Sequence, residues 1–96
     1  MLIDTAAMAL RTQRLLELRY PSFSRRVEVH AIGYSKTGRA IVRAWVRSGQ
    51  RGEAKGWKLL DLAEAQEAEV ADEASSAPRR GYRRGDRAIE RIVCEL

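Results

Sequence analysis

Apolar and polar positions alternate with two different periods along the chain. From Asp4 to Arg14 the spacing is helical. Ile3, Ala7 and Leu10 share a face with Ala6 beside them, Asp4 can act as N-cap, and Arg11 and Arg14 sit in the last turn, where they complement the helix dipole. The period then drops to two. Leu16, Leu18 and Tyr20 alternate over residues 15–20, and Pro21 stops the pairing. Residues 26–32 place Val27, Val29 and Ala31 on one side, with Glu28, His30 and Ile32 on the other. The run Gly33-Tyr34-Ser35-Lys36-Thr37-Gly38 reads as a hairpin turn. Residues 39–46 form the clearest strand, with Ala40, Val42, Ala44 and Val46 facing one way and Ile41, Arg43 and Trp45 the other.

The loop Ser48–Gly56 is polar and carries three glycines, Trp57–Leu62 reads as a fourth strand, and Ala65–Val70 as a short edge strand. Residues 71–85 read as a linker and basic arm containing Ser75-Ser76-Ala77-Pro78. Asp86 is placed to cap a second helix over 86–96, with Ile89, Ile92, Val93 and Leu96 on one face. The expectation is one mainly β domain: a small antiparallel barrel of four to five strands over residues 15–70, with an N-terminal and a C-terminal helix. Closing a small sheet in this way limits exposed edges.

Length supports that outline, since 96 residues cannot build two cores. Charge adds a partner class. The total of +5 divides into three blocks: +8 over residues 1–60, −6 over 61–77 and +3 over 78–96. Two basic blocks flanking an acidic one favour an anionic partner such as nucleic acid or a nucleotide. Pairing of the acidic block with nearby arginines is the plainer alternative. The single cysteine, Cys94, forms no internal disulfide, and the first residues have neither the cationic start nor the apolar run of a signal peptide. No stretch approaches a membrane span, so a cytoplasmic protein without membrane contact is expected.

Arg43, Trp45 and Arg47 alternate on one strand face, a pairing that suits phosphate contact plus base stacking. Packing of Trp45 beneath a terminal helix is the structural alternative. Arg79, Arg80 and Tyr82 open a basic run that continues through Arg83-Arg84 to Arg87 and suits phosphate contacts. Catalysis is not expected. The lone His30 and Cys94 match no metal pattern, a Cys94–His30 pair lacks an orienting group, and there is neither a phosphate loop nor a pair of carboxylates in an apolar setting. No cofactor is expected either.

The order of features over residues 9–70 resembles the WYL domain, an Sm/SH3-like barrel of bacterial and phage proteins. A short helix leads to a strand ending in Tyr20, then Arg26-Val27-Glu28-Val29-His30, a glycine turn, the long strand Gly38–Trp45, and Trp57-Lys58-Leu59-Leu60-Asp61. Ala40-Ile41-Val42 stands where the family carries Trp-Tyr-Leu, and the family's basic residue of the fourth strand maps on Lys58 or Asp61. The resemblance implies a regulatory, ligand-sensing or nucleic-acid-binding barrel with a basic-aromatic groove drawn from Tyr20, Arg26, His30, Arg43, Trp45 and Lys58. Most family members join such a barrel to a DNA-binding domain. An interaction module is therefore the second reading, in which the terminal helices and the Ala-rich edge pair with another copy or with a regulator subunit.

Overall fold

The computed structural model describes residues 1–96. Helix α1 (Leu2–Thr12) precedes six strands: β1 (Arg14–Arg19), β2 (Ser24–Tyr34), β3 (Ala40–Ser48), β4 (Gly56–Asp61), β5 (Glu67–Ala74) and β6 (Arg91–Glu95). The helix starts two residues before the expected cap, so Asp4 lies inside its first turn, 3.7 Å from the terminal amine of Met1. Gln13 ends it in the left-handed region, and Arg14 already belongs to β1. The buried face of α1 is Ala6, Ala7, Ala9 and Leu10; three small residues let the helix backbone come close to the sheet.

All strands pair antiparallel in a single sheet of order β4-β3-β2-β1-β5, with β6 added to β2. The sheet does not close, since β4 and β5 each have one neighbour. The strand count is thus six rather than four or five. Gly38, at φ 81°, supplies the left-handed residue that the β2–β3 turn needs. Helix α1 covers one face of the sheet. The main core lies there and includes Leu16, Leu18, Val27, Val29, Ile32, Val42, Ala44, Val46 and Leu60.

β2 organises the rest. β1 pairs with its first part, Ser24–Val27, and β6 with its last part, Ala31–Tyr34. Between them the ladder to β3 slips: Val29 faces Ala44 and Ala31 faces Arg43, leaving His30 as an extra residue. A bulge of this kind reverses the alternation beyond it. Ile32 therefore reaches the main core opposite Val42, while Ala31 turns to the second face with Ile41 and Ile89. The expected single face of Val27, Val29 and Ala31 is corrected accordingly. β3 keeps its alternation intact, with Ala40, Val42, Ala44 and Val46 on the main-core face.

The expected helix over 86–96 does not form. Asp86 accepts from the Ala88 amide at 3.0 Å and closes one turn, and the chain then extends as β6. The spacing of Ile89, Ile92, Val93 and Leu96 fits a helix. The open edge of β2 offers this β-branched segment backbone partners, and that long-range pairing prevails. Gly33 makes the pairing possible, because a Cβ there would run into the Arg91 carbonyl and the Ile89 side chain. Gly33→Ala is expected to destabilise the fold by about 2 kcal/mol, roughly 10 °C in Tm, in thermal unfolding. An unchanged Tm would show that β6 does not dock as described.

Candidate anion-binding site

The sheet separates the six residues expected to form one groove. Tyr20 is buried on the main-core side, stacked on Phe23 at 4.7 Å beneath the Arg25 guanidinium. Lys58 lies opposite Ala44 on that same side and donates to Glu53 at 2.6 Å. Glu53 also accepts two bonds from Arg25 Nε, at 3.1 and 3.0 Å, and one from the Gln50 amide at 3.1 Å, which latches the β3–β4 loop. Neither Tyr20 nor Lys58 joins the second face. Arg26, His30, Arg43 and Trp45 do lie on that face, but each is engaged within the fold. Arg26 pairs with Glu17 at 3.0 Å and Glu73 at 3.2 Å.

Residues 75–90 cross the second face as an arm. The Glu28 side chain is wholly buried beneath it. Its carboxylate accepts from Arg79 Nε at 2.6 Å and Nη2 at 3.1 Å, from Arg47 at 2.9 Å and from the Ser76 amide at 2.8 Å. Burial alone would push this carboxyl up. The bonds from Arg79, Ser76 and Arg47 outweigh it and hold Glu28 below the ordinary carboxylate range. Arg79 also lies 5.0 Å over the Trp45 ring, so its charge is fully engaged in holding the arm.

His30 gives the arm a second attachment. Its Nε2 accepts from the Arg79 amide at 2.9 Å, and a backbone N–H can only donate. The ring proton therefore sits on Nδ1 and is donated to the Glu28 carbonyl at 3.0 Å. Both ring nitrogens are satisfied and the ring is neutral. Burial lowers its pKa, and the nearby Arg79 charge works in the same direction. Tyr82 packs 5.1 Å from His30, lies stacked 6.4 Å from Trp57, and donates to the Leu96 carbonyl at 3.3 Å. Asp86 grips Arg43, which holds Asp86 below the usual carboxylate range. Cys94 packs toward the main core, on the opposite side of the sheet from His30.

The arm and the sheet enclose a depression of about 600 Å³ lined by Arg43, Trp57, Gly81, Tyr82, Arg83, Arg84, Gly85, Asp86 and Arg87. Four guanidinium groups face one carboxylate. Arg43 is matched by Asp86, and Arg84 by Glu95 at 3.1 Å. Arg83 and Arg87 have no ion-pair partner. Of the expected phosphate contacts, Tyr82 lines the depression, Arg80 is exposed beside it without lining it, and Arg79 is engaged with Glu28. Trp57 was not among the expected site residues. It stands opposite Trp45 with the rings 5.4 Å apart, a register that alternation within either strand does not reveal.

No group of three or more His, Cys, Asp or Glu side chains is placed to hold a metal ion, and no helix is long and apolar enough to cross a membrane. Comparison with protein-family models, curated proteins and solved structures returns no match.

The Arg25 and Lys58 contacts depress the Glu53 pKa from its ordinary 4.5 to about 2, with Arg25 contributing most. A depressed carboxylate stabilises the fold above its unfolded value, and that contribution disappears as pH falls through the folded one. Glu53→Gln is expected to cost about 2 kcal/mol at neutral pH. In urea unfolding, the gap to the unsubstituted chain should close as pH drops from 4.5 toward about 2. A gap independent of pH would contradict the latch.

Proposed function

We propose that the chain is a non-catalytic regulatory binding module that takes a phosphate-bearing anion, single-stranded nucleic acid or a nucleotide, in the arginine depression. One observation carries this reading: Arg83 and Arg87, both without acidic partners, stand with Arg84 beside the Trp57 and Tyr82 rings. Guanidinium groups match phosphate oxygens in a fork geometry, and an aromatic face can stack a base. The site differs from the groove expected of a WYL-like domain, since it uses Arg43 and Trp57 from the sheet and otherwise the arm. The WYL-like, SH3/Sm-like reading stays a proposal that rests on the order of motifs in residues 9–70 of the sequence, and the sheet here is open. The interaction reading relied on the apolar faces of two terminal helices and on the Ala-rich edge. α1 commits its apolar face to the sheet and residues 91–95 are a strand, so that reading now rests on the edge alone, where β5 has a single neighbour.

A labelled single-stranded oligonucleotide titrated at low and moderate salt tests the proposal. The expected log–log salt slope is roughly −2, about 0.7 for each of three phosphate contacts. Arg83→Ala with Arg87→Ala should weaken binding about tenfold or more and flatten the slope by roughly 1.4. Both residues are exposed, so the fold should not change. No binding at low salt, or binding that the double variant leaves intact, would refute the assignment.

A further inference from the structure

His30 is the chain's one histidine, wholly buried at the bulge of β2. It holds the arm through the Arg79 amide, two residues before the depression begins at Gly81. That contact needs a bare Nε2. A proton there would set donor against donor, and would add a positive charge beside the Arg79 guanidinium. Charging the ring and holding the arm are therefore mutually exclusive.

The ionisable groups around the ring come from every element packed on it. Glu28 lies on its own strand, and its charge favours the protonated ring. Arg47 on β3 is already bound to that carboxylate. Arg79 and Tyr82 come from the arm, and Glu95 from β6 lies opposite Ala31. On β4 the neighbour is the uncharged Trp57, 4.6 Å away. No carboxylate oxygen bonds to the ring; its Nδ1 is held by a backbone carbonyl.

We propose that His30 is a pH-sensitive latch: neutral, it assembles the arginine depression, and protonated, it releases the arm and takes the depression apart. The consequence for binding rests on the anion-site reading; the latch itself does not. The sign follows from the geometry. The docked arm requires neutral His30, and burial sets the folded pKa below the ordinary 6.5. Docking is therefore unaffected above that value and weakens as pH falls below it. The opening is confined to residues 77–85, because Ser76, Asp86, Ile89 and β6 are held by the Glu28 carboxylate, the Arg43 ion pair, packing and backbone pairing, none of which involves a ring nitrogen.

The test follows the full chain from about pH 7.5 to about pH 5, where phosphodiesters do not titrate. It reads the His30 ring ¹⁵N shifts, the Arg79 amide resonance and the affinity for a single-stranded oligonucleotide. At neutral pH the ring shifts should report the Nδ1–H form. On acidification they should titrate together with the Arg79 amide, and affinity should fall about tenfold beyond any change in His30→Gln. Glutamine can offer an oxygen to the Arg79 amide without titrating, so that variant should hold its affinity across the range. A ring that titrates while the Arg79 amide stays fixed overturns the latch. So does His30→Gln responding to pH as the unsubstituted chain does. If His30→Gln fails to fold by circular dichroism, the joint titration of ring and amide in the unsubstituted chain decides alone. An arm that opens on cue while no oligonucleotide binds at any pH leaves the latch standing and overturns the anion site.

Discussion

A carboxylate buried in the middle of a sheet face is costly unless it is fully paired, and Glu28 imposes that requirement on this fold. Its three partners come from two places: Arg47 on the neighbouring strand, and the Ser76 amide and Arg79 guanidinium from a segment some fifty residues later in the chain. The segment has no regular secondary structure of its own. Its path over the second face is set by Glu28 and His30 at one end and by Asp86, Ile89 and β6 at the other. The arginine depression lies between these anchors. Local order at Glu28 thus becomes the geometry of the candidate site, and removing one partner leaves a buried charge that no solvent compensates.

The charge blocks acquire a structural meaning from the same account. The acidic stretch is largely consumed internally: Asp61 meets Arg39, Glu67 meets Arg19, Asp72 meets Arg14, and Glu73 meets Arg26 and Arg47. Most of these pairs are exposed and contribute little each. Their joint effect is to offset part of the first basic block, in which Arg11, Lys36, Arg51 and Lys55 stay unpaired. Arg80, Arg83 and Arg87 on the arm remain without acidic partners. The strand groove suggested by Arg43 and Trp45 is therefore closed over, and a cluster of unpaired arginines lies on the arm that closes it.

Much of the sheet was legible in the sequence because β3 alternates cleanly and the β2–β3 turn carries its glycine. The bulge was not legible. Ala31 and Ile32 are both apolar, so a one-residue slip at His30 leaves no mark on the pattern. Nor was β6, since Ile89, Ile92, Val93 and Leu96 fit a helical face and the open edge of β2 that recruits them is a long-range feature. The site was legible in part. The Arg43–Trp45 face and the basic run 79–87 were both visible, but alternation within a strand does not say which carboxylate from elsewhere will meet each arginine. Tyr20 and Lys58 lie on the other side because a resemblance in the order of features does not fix the face on which each residue lies; for Tyr20, alternation with Leu16 and Leu18 already indicated the core side.

The central claim is that Glu28 and His30 hold the arm in place and so create the depression. Amide hydrogen exchange of Ser76 and Arg79 at neutral pH tests it most directly, in the unsubstituted chain and in Glu28→Gln. The account predicts slow exchange at both amides, as for groups hydrogen-bonded to the buried Glu28 and His30 side chains, and marked acceleration in the variant while the β2–β3 ladder stays protected. Ser76 and Arg79 amides exchanging at free-peptide rates in the unsubstituted chain would contradict it.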